Sequence, residues 1–236
     1  ISTQAQEVTI FSDNFESPTA FIANYWTYDA NSSGTECYWY GVSDAFFGGL
    51  TIPNAHSGTQ MAYCAGVGYS GVALQPYYQN YMDANMQTKA GVIDLTNYQS
   101  AKIKFYYYLQ GIDNREFGQV GWDDYFQVLI TDPSAVNSVA VTWSNGEIAT
   151  DEETSDWTYK EFQIPSQFLG DEVVVYFRFV SDYYNTDNGV WVDDFSVVGV
   201  PLLISGYVKD ANSNPIAGVT LTFSNISPAT VVTNSA

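Results

Sequence analysis

The stretch Gly189–Val200, GVWVDDFSVVGV, decides how the chain is read. It is apolar, β-branched and aromatic, the composition of a β-strand, yet Asp193 and Asp194 stand in its middle. Side chains alternate across a strand. Strict alternation therefore puts Trp191, Asp193, Phe195 and Val197 on one face, and Val190, Val192, Asp194, Ser196 and Val198 on the other. Neither face is clean, so at least one carboxylate lies among core-type side chains. A lone buried carboxylate is very costly unless it is protonated, paired or bound to a metal.

Pairing is limited by supply. The chain has 236 residues, with 26 Asp and Glu against 7 Lys and Arg, a formal net charge of −19. Lys89, Lys102, Lys104, Arg115, Lys160, Arg178 and Lys209 are all the basic side chains there are. Two readings of Asp193 and Asp194 stand. In one, a divalent cation offsets them; in the other, they cap turns or pair with Arg178, the one arginine near this end of the domain. A surface this acidic repels nucleic acid and anionic membranes, so neither is expected as a partner.

Working outward, short period-2 or solidly apolar runs recur along the chain. They include EVTIFSDNF, TECYWYGVS, TQMAYCAGV, SAKIKFYYYLQGI, DDYFQVLITD, WTYKEFQIP and EVVVYFRFVSD. Breakers separate them: Ser17-Pro18, Gly48-Gly49, Asp132-Pro133, Asn145-Gly146 and Asn188-Gly189. Short strands at this spacing predict an all-β, antiparallel two-sheet sandwich. Only SPTAFIANYW, after Ser17-Pro18, suggests a helical turn. No run of 18 apolar residues predicts a membrane span. The first residues lack the basic and apolar regions of a signal peptide. The aromatic density falls after Val200, where LISGYVKD, a turn and VTLTFSN read as a hairpin too small for a core of its own. Residues 1–200 are therefore expected as one sandwich. Residues 201–236 are expected as an incomplete second β module, packed on the sandwich or pairing with a neighbouring chain, the alternative being a frayed remnant of a truncated module.

Chemistry-bearing motifs are few. His56 is the single histidine, in a turn-like HSGT, without the context of a hydrolytic triad. There is no His-Glu-x-x-His helix and no phosphate-binding glycine loop with a lysine. Carboxylate pairs for glycoside hydrolysis are available, Asp123 and Asp124 beside Trp122 and Tyr125 among them. Solvated loops explain these acids as well, and the chain is expected not to be an enzyme. Binding fits the composition better, because exposed Tyr and Trp stack on flat amphipathic ligands. Trp39, Tyr40, Trp122, Tyr183 and Tyr184 are the candidate ligand-binding residues, weighed against a core that must itself use many aromatics. Cys37 and Cys64 read either as buried thiols or as one disulfide. The disulfide would close a loop of roughly 27 residues, contribute about 3 kcal/mol and imply an oxidising compartment.

An ordered set of fragments carries a resemblance. SDNFES is followed by YWTYD, AHSGTQMAY, GVIDLTNYQSAKIKFYYYL, DYFQVLI, WTYKEFQIP, VVVYFRFVSD and NGVWVDDFSVVG. In this order, over nearly the whole first 200 residues, they resemble the jelly-roll modules of MAM domains, of the C-terminal region of immune-inhibitor-A-like metallopeptidases, and of gingipain cleaved-adhesin domains. The segment from Ile204 to Asn225 resembles the start of a carboxypeptidase-regulatory-like module. The jelly-roll resemblance implies that the first and last strands are neighbours. It also implies a structural Ca²⁺ held by Asp13, Glu16, Asp193 and Asp194, with backbone or Ser57 oxygens of the AHSG turn as further donors. Three functions follow as expectations. The first is a calcium-stabilised, non-catalytic binding or adhesion module of a secreted or cell-surface multidomain protein, with a glycan or matrix protein as partner. The second is a carbohydrate-binding accessory module of a secreted hydrolase or peptidase. The third is a structural subunit of an extracellular assembly.

Overall fold

The structure, a computed structural model, describes residues 6–30, 37–43, 53–68, 77–112, 124–143, 149–183, 185–202, 207–222 and 230–233. Along the chain run β1 (Val8–Asp13), α1 (Pro18–Asn24), β2 (Tyr25–Asp29), β3 (Cys37–Ser43), β4 (Gln60–Gly68), β5 (Asp83–Thr88) and β6 (Ile93–Asp94). They are followed by β7 (Tyr98–Gln110), β8 (Tyr125–Thr131), β9 (Ser138–Ala140), β10 (Thr158–Gln163), β11 (Glu172–Val180), β12 (Gly189–Pro201), β13 (Thr220–Thr222) and β14 (Thr230–Val232). Two antiparallel sheets form a sandwich, as the strand pattern predicts. One runs β10-β7-β12-β4-β3 with β1 also on β12; the other runs β2-β5-β11-β8-β9 with β6 also on β11. First and last strands are neighbours, with Val8 opposite Gly199 and Asp13 opposite Phe195.

Alternation builds the core. In β7, Ala101, Ile103, Phe105, Tyr107 and Leu109 are buried while Lys102, Lys104, Tyr106, Tyr108 and Gln110 are only partly so. In β11, Val173, Val175, Phe177 and Phe179 point inward. The two sheets meet through aromatic rings: Phe105 and Phe195 from the first sheet approach Phe177 of the second at centroid distances of 5.2 and 5.0 Å, edge to face. Such pairs contribute about 0.5–1.5 kcal/mol beyond the area they bury.

β12 departs from strict alternation. Asp193 is opposite Tyr106 of β7 and Ser196 is opposite Lys104, so Asp194 and Phe195 together face the single Phe105. This is a β-bulge, and Asp194 within it has left-handed backbone, at φ 48°. The extra residue resets the faces. Val190, Val192, Phe195 and Val197 all point into the sandwich, and Asp193 points out of it. The expectation that Asp193 shares a face with Phe195 is corrected: a bulge, invisible to a period-2 count, lies between them.

The Cys37–Cys64 disulfide is also corrected. The two cysteines are buried in adjacent strands and are not bridged. Register puts Gly68, not Cys64, opposite Cys37, whereas a disulfide needs facing positions with Cα atoms about 4.4–6.8 Å apart. Cys64 Sγ instead accepts a long hydrogen bond from Val190 N at 3.5 Å. After Pro201, β13 and β14 pair with each other, Leu221 opposite Val231, in a sheet separate from the other two. No described helix is long and apolar enough to cross a membrane.

Candidate functional site

The bulge sits at a fork. Along one edge β12 pairs with β4 through Trp191 and Val192, then with β1 from Phe195 onward. Asp193 and Asp194 lie between the two partners, where that edge of β12 has no described strand beside it. Two turns converge on the gap: residues 14–17, between β1 and α1, and residues 53–59, leading into β4.

Side chains stitch the turns to the strand. Asp193 is fully buried; its Oδ2 accepts from Ser57 N at 3.0 Å and its Oδ1 from Asp194 N at 2.7 Å. Asp194 accepts from the Ser57 hydroxyl at 2.7 Å and meets His56 Nδ1 at 2.6 Å. The His56 ring stacks on Tyr106 at 3.5 Å and meets Trp157 edge-on. From the other side, Glu16 Oε1 accepts from Thr59 N at 2.6 Å and Gln60 N at 2.7 Å, and Oε2 accepts from the Thr59 hydroxyl at 3.0 Å. Gly58 permits this approach: at φ 65°, a Cβ there would lie 2.3 Å from Glu16 Oε1. Asp13 Oδ1 accepts from Phe15 N at 2.8 Å and Oδ2 from Asn24 Nδ2 at 3.3 Å, anchoring the first turn to the end of α1.

Three carboxylates, those of Glu16, Asp193 and Asp194, thus hold one short turn, and among the described residues His56 is the basic side chain bonded to them. Burial pushes the Asp193 carboxyl up to about 6, although Ser57 N and Asp194 N both favour its charged form. Arg178 does not help, and the pairing considered for it is corrected. It lies in the other sheet, where Nε and Nη2 bind the two oxygens of Asp83 at 2.6 and 2.9 Å. Ser57 gives its proton to Asp194 at this fork.

Of the expected metal-binding residues, Asp13 and Asp194 line one groove with Ser12, Asn14, Ser17, Asn24 and Ser196. Glu16 and Asp193 reach the same fork by way of the turn at 57–60. Among the described residues no three His, Cys, Asp or Glu side chains form a ready-made metal cage. The donor set is nevertheless all hard oxygen, the kind that Ca²⁺ takes, six to eight at a time, with main-chain carbonyls among them. A cation here would draw on carboxylate, hydroxyl and main-chain oxygens together.

The ligand-binding candidates fare differently. Trp39 is fully buried, donates to Ala84 O at 3.0 Å and packs near Phe126 and Phe177; it is a core residue, and that expectation is corrected. Tyr40 is half-buried against Phe21. Tyr183 is exposed and stacks with exposed Tyr81 at 6.2 Å. Trp122 and Tyr184 lie outside the described residues, as does Asp123. Asp124 is buried, holding the Tyr78 hydroxyl and Asp182 N.

Sequence reading missed the outer face of the second sheet. Cross-strand register puts Tyr28, Asn85, Arg178 and Gln127 in one row, and Trp26, Gln87, Tyr176 and Leu129 in the next. Alternation puts Tyr176 and Arg178 on the face of β11 opposite Val175 and Phe177, but only register brings them beside Tyr28 and Asp83.

No protein-family model matches this chain, and no curated protein does. Among solved structures, the Clostridium thermocellum endo-1,4-beta-D-xylanase 10B, as its CBM22-1 and GH10 modules complexed with xylohexaose, is 12% identical with a TM-score of 0.41. It matches over 86% of this chain and 30% of its own. A structure of carbohydrate-binding modules from the beta-sandwich superfamily is also 12% identical, with a TM-score of 0.39, over 83% of this chain and 63% of its own. This chain spans less than two thirds of either. Likeness at this level carries no argument about ligand or activity.

Proposed function

We propose that this chain is a non-catalytic binding or adhesion module of a secreted or cell-surface multidomain protein, fastened by one Ca²⁺ at the fork between β1, β4 and β12. One observation carries the reading: Asp193 is a fully buried carboxylate beside Asp194, held by main-chain N–H groups, with no lysine or arginine among its described bonding partners. A dication there would offset charge that no described lysine or arginine is bonded to, and would tie the closing strand to the opening turn. The carboxylates of Asp193 and Asp194, with Asp13 and Glu16 at the opening turn, are the donors assigned to it. The binding role rests on the exposed rings of the second sheet and of the Tyr81–Tyr183 pair. The segment after Pro201, as the start of a second module, belongs to the same reading.

Calorimetry tests it. A ligand bound only by the folded state adds about 2.7 kcal/mol of stability at 100 times its Kd. For a domain of this size that raises Tm by about 5–11 °C. Melting in EDTA should fall by that amount and recover with Ca²⁺ but not with Mg²⁺ at equal concentration. The same Tm in EDTA and in millimolar Ca²⁺ would refute the metal.

A further inference from the structure

The outer face of the second sheet holds a shallow depression of about 270 Å³, just below the range of enclosed small-ligand sites. At its centre lies a locked polar pair. Arg178 binds Asp83 through two bonds and reaches Gln127 Oε1 at 3.2 Å. Asn85 Nδ2 donates to Asp83 O at 2.7 Å and to Asp83 Oδ1 at 3.2 Å, so the carboxylate is fixed from two sides. Tyr28 stands in the same cross-strand row as Arg178, Tyr176 two residues before it, and Tyr125 on the adjoining strand. Tyr28 is 39% exposed, and Tyr176 and Tyr125 are partly exposed.

We propose that this depression binds a neutral saccharide, with Tyr28 and Tyr176 contacting sugar rings and the Arg178–Asp83 pair gripping vicinal hydroxyls. This rests on reading the chain as a binding module and names its ligand class. Three features select that occupant. Charge is the first. Arg178 and Asp83 cancel, so the depression is neutral in a chain of net charge −19. An anionic ligand meets long-range repulsion, and a cationic one finds no net negative charge here.

The second is the donor and acceptor geometry. Arginine has five N–H donors; three are used by Asp83 and Gln127, leaving two next to carboxylate oxygens that still have lone pairs. A diol matches this array, one hydroxyl accepting from the guanidinium while its neighbour donates to the carboxylate. The pair is already ordered, so binding costs little side-chain entropy. The third is the flanking rings. Tyrosine offers an amphipathic surface of low entropy cost, suited to the C–H face of a pyranose. Trp26, one row away and 59% exposed, has Lys89 Nζ over its ring at 4.2 Å and is not assigned to the site.

Affinity electrophoresis of the full chain through gels containing soluble neutral polysaccharides (arabinoxylan, mixed-linkage β-glucan, galactomannan) tests this, with anionic alginate as a comparison gel. At least one neutral polymer should retard the protein, and alginate should not. Tyr28→Ala and Tyr176→Ala change half-exposed side chains and should keep the wild-type Tm. Each should weaken retardation tenfold or more, a loss of about 1.4 kcal/mol. Retardation by no neutral polymer, or by alginate alone, overturns the saccharide; the module reading is then still decided separately by the calcium melting experiment. Retardation undiminished in both variants overturns this face as the site while leaving a glycan-binding module standing.

Discussion

Replacing Gly58 by alanine should damage the fork in a way that can be separated from simple backbone strain. Gly58 lies at φ 65°, where an L-residue costs about 1–2 kcal/mol. Its added Cβ would also fall 2.3 Å from Glu16 Oε1 and 2.6 Å from Cδ, so the carboxylate must leave the turn. That gives up three hydrogen bonds, from Thr59 N, Gln60 N and the Thr59 hydroxyl. At about 1 kcal/mol each for a half-exposed acceptor, the loss adds about 3 kcal/mol. The total of about 4–5 kcal/mol corresponds to a Tm lower by about 8–20 °C. Gly91 and Gly170 supply controls: φ is 81° and 91°, and a Cβ at either meets nothing within 4 Å. Gly91→Ala should cost only the strain, about 2–8 °C. Calorimetry of Gly58→Ala, Glu16→Ala and the double variant completes a cycle. Without the Glu16 side chain, Gly58→Ala should fall to the cost of Gly91→Ala. If Gly58→Ala and Gly91→Ala melt alike in the parent, Glu16 does not hold the turn and the account of the fork is wrong.

Asp132 should shape the acid arm of stability. Hydrogen bonds from the Ser134 hydroxyl and from Asn137 hold its carboxyl at about 2, below the ordinary 3.8. Because the folded value is the lower one, its contribution is present above about pH 4 and is lost as pH falls toward 2; Asp132→Asn should flatten the Tm–pH curve in that window, and an unchanged curve would contradict the assignment. Cys37 and Cys64 should resist a thiol reagent in the native protein and should both react after unfolding without reductant; their failure to react until reductant is added would restore the disulfide. Burial, which raises the Cys64 pKa, is the reason for the native resistance. Deleting residues 203–236 should leave the sandwich Tm within about 2 °C, since β13 and β14 pair only with each other among the described strands; a large drop would mean the tail packs on the sandwich.

How much was legible in the sequence depended on whether the physics was local. The alternations in β7 and β11 are written in the order of their residues, so sheet class and inward faces were readable from Ile103, Phe105, Val175 and Phe177. Adjacency of β1 and β12 came with the resemblance and held. The bulge did not show, because nothing in DD announces a positive φ, although Asp is among the residues that tolerate it. Asp83, Arg178 and Gln127 meet only through cross-strand register over separations of 95 and 51 residues. A basic residue near Asp193 in sequence is therefore no guide to its partner. Trp39 illustrates the opposite limit: a tryptophan in an aromatic strand reads the same whether it fills a core or greets a ligand, and burial alone decides. His56 looked like a turn residue and is one, yet its stacking on Tyr106 and its bond to Asp194 tie that turn to two strands.

The most direct test of the fork as a cation site is a metal count. The protein is stripped with EDTA, dialysed into buffer containing millimolar Ca²⁺, desalted into metal-free buffer, and assayed by atomic emission alongside Asp193→Asn and Asp194→Asn. The account predicts one calcium per chain in the parent and substantially less in both variants, with all three proteins folded by circular dichroism. No calcium in the parent, or an undiminished full equivalent in both variants, would contradict it.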